Sequence, residues 1–298
     1  QSGEGGRAGL RVASASRPAR LLLAAGLFLL SACAGRPPST AVPAEREWPP
    51  ISYPASMRAR IVEIAEREWR DFGGTEIDFS TGTANEVYTG LRETDPRIFP
   101  NILAYWNAVR GRWAGYIREE KSRYQAGQPA WTAEAWSAVF VSYVMRTAGI
   151  DGDDFPWDAG HRNYIDALIE RQARYGVAAA FQPYDLEQYA PRRGDLICAD
   201  RSRPADARIT TVADRAAEIG SSRGMHCDIV TVVEAGRVGA IGGNVADSVS
   251  RSWFPTDGYG RLLRGAPNTG NGERTFFTVI QLNVPDPAVA SAVRLPSG

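Results

Sequence analysis

Apolar side chains in the first half of the chain recur every three or four residues, which is the spacing of helices that bury one face. Two stripes of this kind occupy residues 57–69 and 102–117. A third helix is predicted over 132–148, with Gly149 placed to end it. A shorter helix is predicted over about 162–173.

The second half of the chain changes to short runs rich in β-branched residues, which indicate strands. A turn at 235–237 predicts a hairpin between two of these runs. The strands are predicted over residues 195–198, 228–234, 238–241, 249–254 and 276–282. Helices followed by about five antiparallel strands predict an α+β fold.

The amino end has the pattern of an export signal. Residues 1–32 contain four arginines followed by a ten-residue apolar core at 21–30, which is too short to span a bilayer of about 30 Å. The sequence Leu-Ser-Ala-Cys ending at Cys33 resembles a bacterial lipobox, in which the cysteine is lipidated and becomes the mature N terminus. The alternative is a plain signal peptide with a chance cysteine. The lipobox implies a protein anchored by lipid at the periplasmic side of the outer membrane, because the residue after Cys33 is not an aspartate.

The remaining chain divides by composition. Residues 33–54 contain six prolines and predict an extended tether. We predict a helical extension over 55–125, a main domain over 126–285 and a C-terminal tail over 286–298.

Charge and composition narrow the function classes. Lys+Arg and Asp+Glu are both 34, so no overall basic field favours a nucleic acid partner. The hydrophobic fraction of 44% is too high for a disordered chain. The 3 cysteines and 2 histidines show no metal-ligand spacing, and the sequence predicts no metal and no cofactor.

Four short motifs occur in an order that is typical of one superfamily. They are AWSAVFVS at 135–142, RGDLI at 193–197, MHCDIV at 225–230 and IGGN at 241–244. Together, over about 131–282, they resemble the NlpC-type papain-like superfamily of cell-wall peptidases and amidases, which is related to CHAP domains. More narrowly, they resemble an uncharacterised bacterial branch of it. The resemblance implies a papain-like domain with helices packed on an antiparallel sheet of about five strands.

The resemblance also implies a catalytic site. The nucleophile, base and orienting residue of the superfamily correspond to Ser137, His226 and Asn244. The superfamily has cysteine at the first position, so Ser137 is a departure: a serine hydroxyl attacks only if a base removes its proton during the reaction.

Three functions therefore stay open. The first is a Ser-His-Asn peptidase or amidase that acts on peptidoglycan or its peptides. The second is a non-catalytic relative that binds cell wall, or an envelope protein partner, through the same cleft. The third is a structural envelope lipoprotein whose cleft is vestigial.

The other cysteines and the second histidine have structural interpretations. Cys198 ends one predicted strand and Cys227 begins the next, so antiparallel pairing would bring them together as a disulfide. The alternative, Cys227 as a displaced nucleophile, is disfavoured because adjacent strand residues point to opposite faces. His161 precedes a predicted helix and has either a role at its N terminus or a place in the cleft.

Overall fold

A computed structural model of the chain describes residues 50–80, 85–87, 89–109, 111–265 and 274–285. The predicted signal peptide, the predicted lipidation site Cys33, most of the predicted tether and the predicted tail at 286–298 lie outside these residues. Among the described residues, no helix is long and apolar enough to cross a membrane.

The described chain is α+β, as the hydrophobic pattern predicted. Its helices are α1 (Ser56–Asp71), α2 (Phe99–Ala108), α3 (Ala114–Gln125), α4 (Ser137–Ala148), α5 (His161–Tyr175) and α6 (Val212–Ala216). Helix α4 ends where Gly149 adopts a left-handed φ of 96°, a conformation that glycine tolerates without strain.

The described strands form one mixed sheet of eight strands. They are β1 (Thr75–Asp78), β2 (Asn85–Val87), β3 (Phe181–Tyr184), β4 (Leu196–Asp200), β5 (Met225–Glu234), β6 (Arg237–Val245), β7 (Ser248–Pro255) and β8 (Thr275–Leu282). The order across the sheet is β2-β1-β7-β6-β5-β4-β8-β3. Neighbours are antiparallel except β1 and β7, which are parallel.

The sheet is larger than the five antiparallel strands predicted. Strands β4 to β8 correspond to the five predictions, whereas β1, β2 and β3 were not anticipated. Strands β1 and β2 have only four and three residues, which is too short for a clear alternation. Strand β3 contains Pro183, and a proline is accommodated there because β3 lies at the edge of the sheet.

The sheet buries apolar side chains on both faces. Helices α1, α2, α4 and α5 pack into a large core together with strand residues such as Leu196, Ile229 and Ile241. A second core contains Ile197 and Val230, which alternate with the first set along the same strands.

The segment predicted as a helical extension is built into the same sheet and core. Helix α1 contacts α4 and β5, and β1 pairs with β7. The segment 55–125 therefore contains strands as well as helices and contributes directly to the layer that carries α4.

Candidate active site

Ser137 is the first residue of α4. The preceding residue, Trp136, is fully buried, and its indole Nε1 donates to Glu93 Oε2 at 2.8 Å. The first amide to bond back along the helix is that of Phe140, which donates to the Trp136 carbonyl at 3.1 Å. Among the described residues no side chain caps this helix end. The amide groups of the first turn and the positive end of the helix dipole therefore lie beside the Ser137 hydroxyl.

The side chain that contacts Ser137 is His161. The Ser137 Oγ lies 2.7 Å from His161 Nε2, and the other ring nitrogen, Nδ1, lies within hydrogen-bond distance of the Tyr164 hydroxyl. His161 is the first residue of α5, so two helices begin at this site. Gly160 is extended before α5, and its amide donates to Asp158 Oδ1 at 2.9 Å, which fixes the entry into the helix.

The environment keeps His161 neutral. Burial lowers the pKa of its imidazole well below the ordinary value, and the nearby His226 lowers it further. A neutral imidazole can accept the Ser137 proton at Nε2 when Nδ1 carries hydrogen, and that tautomer donates to the Tyr164 oxygen. Ser137, His161 and Tyr164 are thus connected in a row, and this geometry could serve a nucleophile, a base and a residue that orients the base.

His226 belongs to a separate buried network. Its Nε2 donates to Asp228 Oδ1 at 2.8 Å, and Arg274 Nη1 contacts Asp228 Oδ2 at 2.6 Å. Burial raises the pKa of Asp228, but Arg274 and His226 outweigh burial and lower it to about 2. Burial lowers the pKa of His226, so this ring is also neutral.

Gly242 makes room for this network. A Cβ atom at that position would lie 1.9 Å from Asp228 Oδ1 and 3.0 Å from His226 Nε2. The two imidazoles then approach each other, with 5.1 Å between the ring centroids of His161 and His226. This network therefore lies next to His161, and among the described contacts it does not include Ser137.

The structure therefore places Ser137 at the start of a helix and in contact with a histidine other than the predicted one. His226 was predicted as the base and hydrogen bonds to Asp228; the histidine on Ser137 is His161. Adjacent positions of one face of a strand are two residues apart, so His226 and Asp228 meet on β5 itself.

Asn244 was predicted to orient His226 and instead contacts Glu93. Its Nδ2 donates to Glu93 Oε2 at 3.0 Å, the same oxygen that accepts from Trp136. Its backbone is left-handed, with a φ of 55°, which directs the residue out of the regular course of β6. Burial raises the pKa of Glu93.

Cys198 and Cys227 form a disulfide in the structure, and they face each other in the pairing of β4 with β5. Both are fully buried in the core beneath the helices. Cys227 is thereby engaged in a structural bond next to His226. Among the described residues, no group of three or more His, Cys, Asp or Glu side chains is arranged to hold a metal.

Ser137 and His161 open into a surface cleft of about 300 Å³. Trp113 and Met225 supply apolar walls, and three arginines line the same space: Arg112, Arg162 and Arg223. Ser137 is 9% exposed and His161 is 5% exposed, so the pair lies at the inner end of the cleft.

Sequence reasoning missed Tyr164, Asp228 and Arg274 and left His161 undecided. Two spacings carry the missing signal. His161 and Tyr164 are three residues apart on a helix, and His226 and Asp228 are two apart on a strand, so each pair shares one face. Arg274 has no local signal, because it reaches Asp228 from 46 residues further along the chain.

The sequence matches a protein-family model over most of the described chain. Residues 95–282 match the family described as "Uncharacterized protein conserved in bacteria (DUF2272)". The chain belongs to this family. The DUF2272 match spans Ser137, both histidines, Asp228 and Arg274, and it begins inside the segment 55–125 that was predicted as a helical extension. The searches of curated proteins and of solved structures found no match.

Proposed function

We propose that this DUF2272 protein is a serine hydrolase of amide bonds, with Ser137 as the nucleophile and His161 as the base. The observation that carries the proposal is the 2.7 Å contact between Ser137 Oγ and His161 Nε2 at the start of α4. A serine needs a neutral base within hydrogen-bond reach, and burial provides one by lowering the pKa of His161.

The chemical steps follow from this geometry. Ser137 Oγ attacks the carbonyl carbon while its proton passes to His161 Nε2, and the carbonyl oxygen becomes an oxyanion. Amide groups in the first turn of α4 are the available donors for that charge. The C–N bond then breaks as His161 returns the proton to the leaving amine. Water hydrolyses the acyl-serine by the same route, with His161 again as the base.

Two neighbours assist the imidazolium that forms on His161. Tyr164 accepts from Nδ1 and fixes the orientation of the ring. The carboxylate of Asp228 lies beyond His226, and its negative charge favours the protonated form of His161. Arg274 keeps that carboxylate ionised, so Asp228 does not compete for the proton.

The substrate and location in this proposal come from the sequence. The order of the four motifs supports an NlpC-like, papain-like domain, and the predicted lipidation of Cys33 supports attachment at the periplasmic side of the outer membrane. Peptidoglycan is the polymer available at that location, and its stem peptides are rich in amide bonds. The site differs from a papain-like one in having serine at the nucleophile position and His161 as its partner.

A second candidate function is a cell-wall binding module with the same cleft, and the burial of the pair favours it. Ser137 and His161 are 9% and 5% exposed, which restricts the approach of a carbonyl group to Oγ. A binder would use the cleft and leave the pair as a structural contact.

Purified muropeptides separate the two functions. We expect the wild-type protein to cleave them, and Ser137→Ala and His161→Gln to abolish cleavage, while Ser122→Ala, on the exposed side of α3, retains it. Cleavage that appears only in Ser137→Cys would indicate a site that has lost its activity. Retention on sacculi without cleavage by any variant would support the binding module.

A further inference from the structure

The charge of the cleft points to a feature of the ligand. Three arginines line it, and among the described residues that line it there is no aspartate or glutamate. The three arginines are not equivalent. Arg223 forms ion pairs with the carboxylates of Asp200, at 2.9 Å, and Glu218, so its charge is neutralised within the protein.

Arg162 differs because its side chain contacts neutral groups. Its Nη1 donates to Ser222 Oγ at 2.5 Å and its Nε donates to Asn163 Oδ1 at 3.3 Å. Among the described residues no carboxylate forms an ion pair with it. Arg162 directly follows His161 in the first turn of α5, where a cation is opposed by the helix dipole. Helix stability therefore does not explain the placement of this charge.

Arg112 adds a second cation at the same cleft. Its side chain is 66% exposed, and its Nη2 lies 3.5 Å from Asp158 Oδ1. That oxygen also accepts from the Gly160 amide and from Asn163 Nδ2, at 2.9 Å and 2.6 Å. Asp158 is thus shared among several donors, so Arg112 is not committed to it alone, and Arg162 stays without a carboxylate partner among the described residues.

We infer that the cleft selects peptides that carry a free carboxylate near the scissile amide, and that Arg162 is the specificity-determining residue. The inference rests on the proposed function for the position of the amide. A guanidinium presents two parallel donors that match the two oxygens of a carboxylate. With its amide at Ser137, such a peptide would place the carboxylate against Arg162, with Arg112 at the rim.

Binding to the full chain carrying Ser137→Ala tests the inference without turnover. The probes are N-acetyl-alanyl-alanine and its C-terminal carboxamide, titrated while the indole NMR signal of Trp113 in the cleft wall is followed. We expect the carboxylate to bind about tenfold more tightly, as a charge-assisted hydrogen bond allows. Adding Arg162→Gln should remove this preference, and raising the salt concentration should weaken it.

The matched control is Arg174→Gln, on the same helix about 18 Å away along its axis. It should keep the preference for the carboxylate probe. Arg162→Lys should show part of the preference that Arg162→Gln lacks, because lysine keeps the charge but not the two parallel donors. Three results would overturn the inference. The two probes could bind equally, or the preference could survive Arg162→Gln, or inorganic phosphate could compete equally in the wild-type and Arg162→Gln proteins. The muropeptide assay is scored separately: cleavage without a carboxylate preference would leave the proposed function standing and remove only this inference.

Discussion

Replacing Asp228 by asparagine removes the charge that connects His226 to Arg274, and we expect a large loss of stability. Asp228 is 1% exposed, and the side chain of its partner Arg274 is 8% exposed. The substitution Asp228→Asn keeps a similar side-chain volume but loses the charge. The guanidinium of Arg274 would then remain buried without its counter-charge, which is the costly result of breaking a buried ion pair.

Two estimates give the size of this effect. Removing one partner of a buried pair costs about 3–5 kcal/mol of unfolding free energy. Independently, the pKa of Asp228 falls from 3.8 to about 2, which corresponds to roughly 2–3 kcal/mol at about 1.36 kcal/mol per pKa unit. Because the folded-state pKa is lowered, this contribution is present above about pH 4 and is lost as the pH falls through about 2. We therefore expect a loss of about 2–5 kcal/mol at pH 7.

Urea unfolding followed by circular dichroism measures the loss. The comparison includes Asp228→Asn, Arg274→Met and the double variant, which should be more stable than the sum of the single losses predicts. Asp257→Asn is the matched control, because Asp257 pairs with Arg261 at the surface and its loss should change little. A loss for Asp228→Asn no larger than that of the control, or additive losses in the double variant, would refute the reasoning.

Three further predictions concern the same region. Gly242→Ala should destabilise the protein and broaden the imidazole NMR signals of His226, because its Cβ would overlap Asp228 Oδ1; unchanged signals would contradict the placement of β6. Reduction of the disulfide, or replacement of Cys198 and Cys227 by alanine, should lower the unfolding free energy by about 3–4 kcal/mol, because the disulfide closes a loop with a sequence separation of 29. An equal urea midpoint with and without reductant would count against the disulfide. The rate of serine modification should persist below pH 6.5, because the pKa of His161 is lowered by burial; a rate that halves near pH 6.5 would show an ordinary, exposed imidazole.

The sequence predicted those parts of the fold that carry a strong local signal. Strand β5 was predicted because residues 228–234 are mostly β-branched, and α4 because its apolar face is continuous and Gly149 ends it. Strand β1 was missed because its four residues, TEID, alternate too briefly, and it owes its position to pairing with β7. Contacts between distant segments decide such short strands, and periodicity does not report them.

The candidate site was predicted only in part for the same reason. The helix that contains Ser137 was predicted to begin at residue 132, whereas α4 begins at Ser137 itself. Which histidine reaches that start depends on how α5 packs. The sequence places His226 at the beginning of a strand, and it does not show that Asp228 engages it on the same face. Asn244 was assigned from the resemblance to the superfamily, whereas its left-handed backbone turns it toward Glu93.

The most direct test of the account is covalent labelling of the full chain with a fluorophosphonate, followed by mass spectrometry of the modified peptide. Attack by an activated serine on this reagent requires the pair of Ser137 and His161, and it needs no knowledge of the substrate. We predict one adduct on Ser137, absent in Ser137→Ala and His161→Gln. An unlabelled Ser137 in the folded wild-type protein, or labelling that is lost in His226→Gln but kept in His161→Gln, would contradict the account.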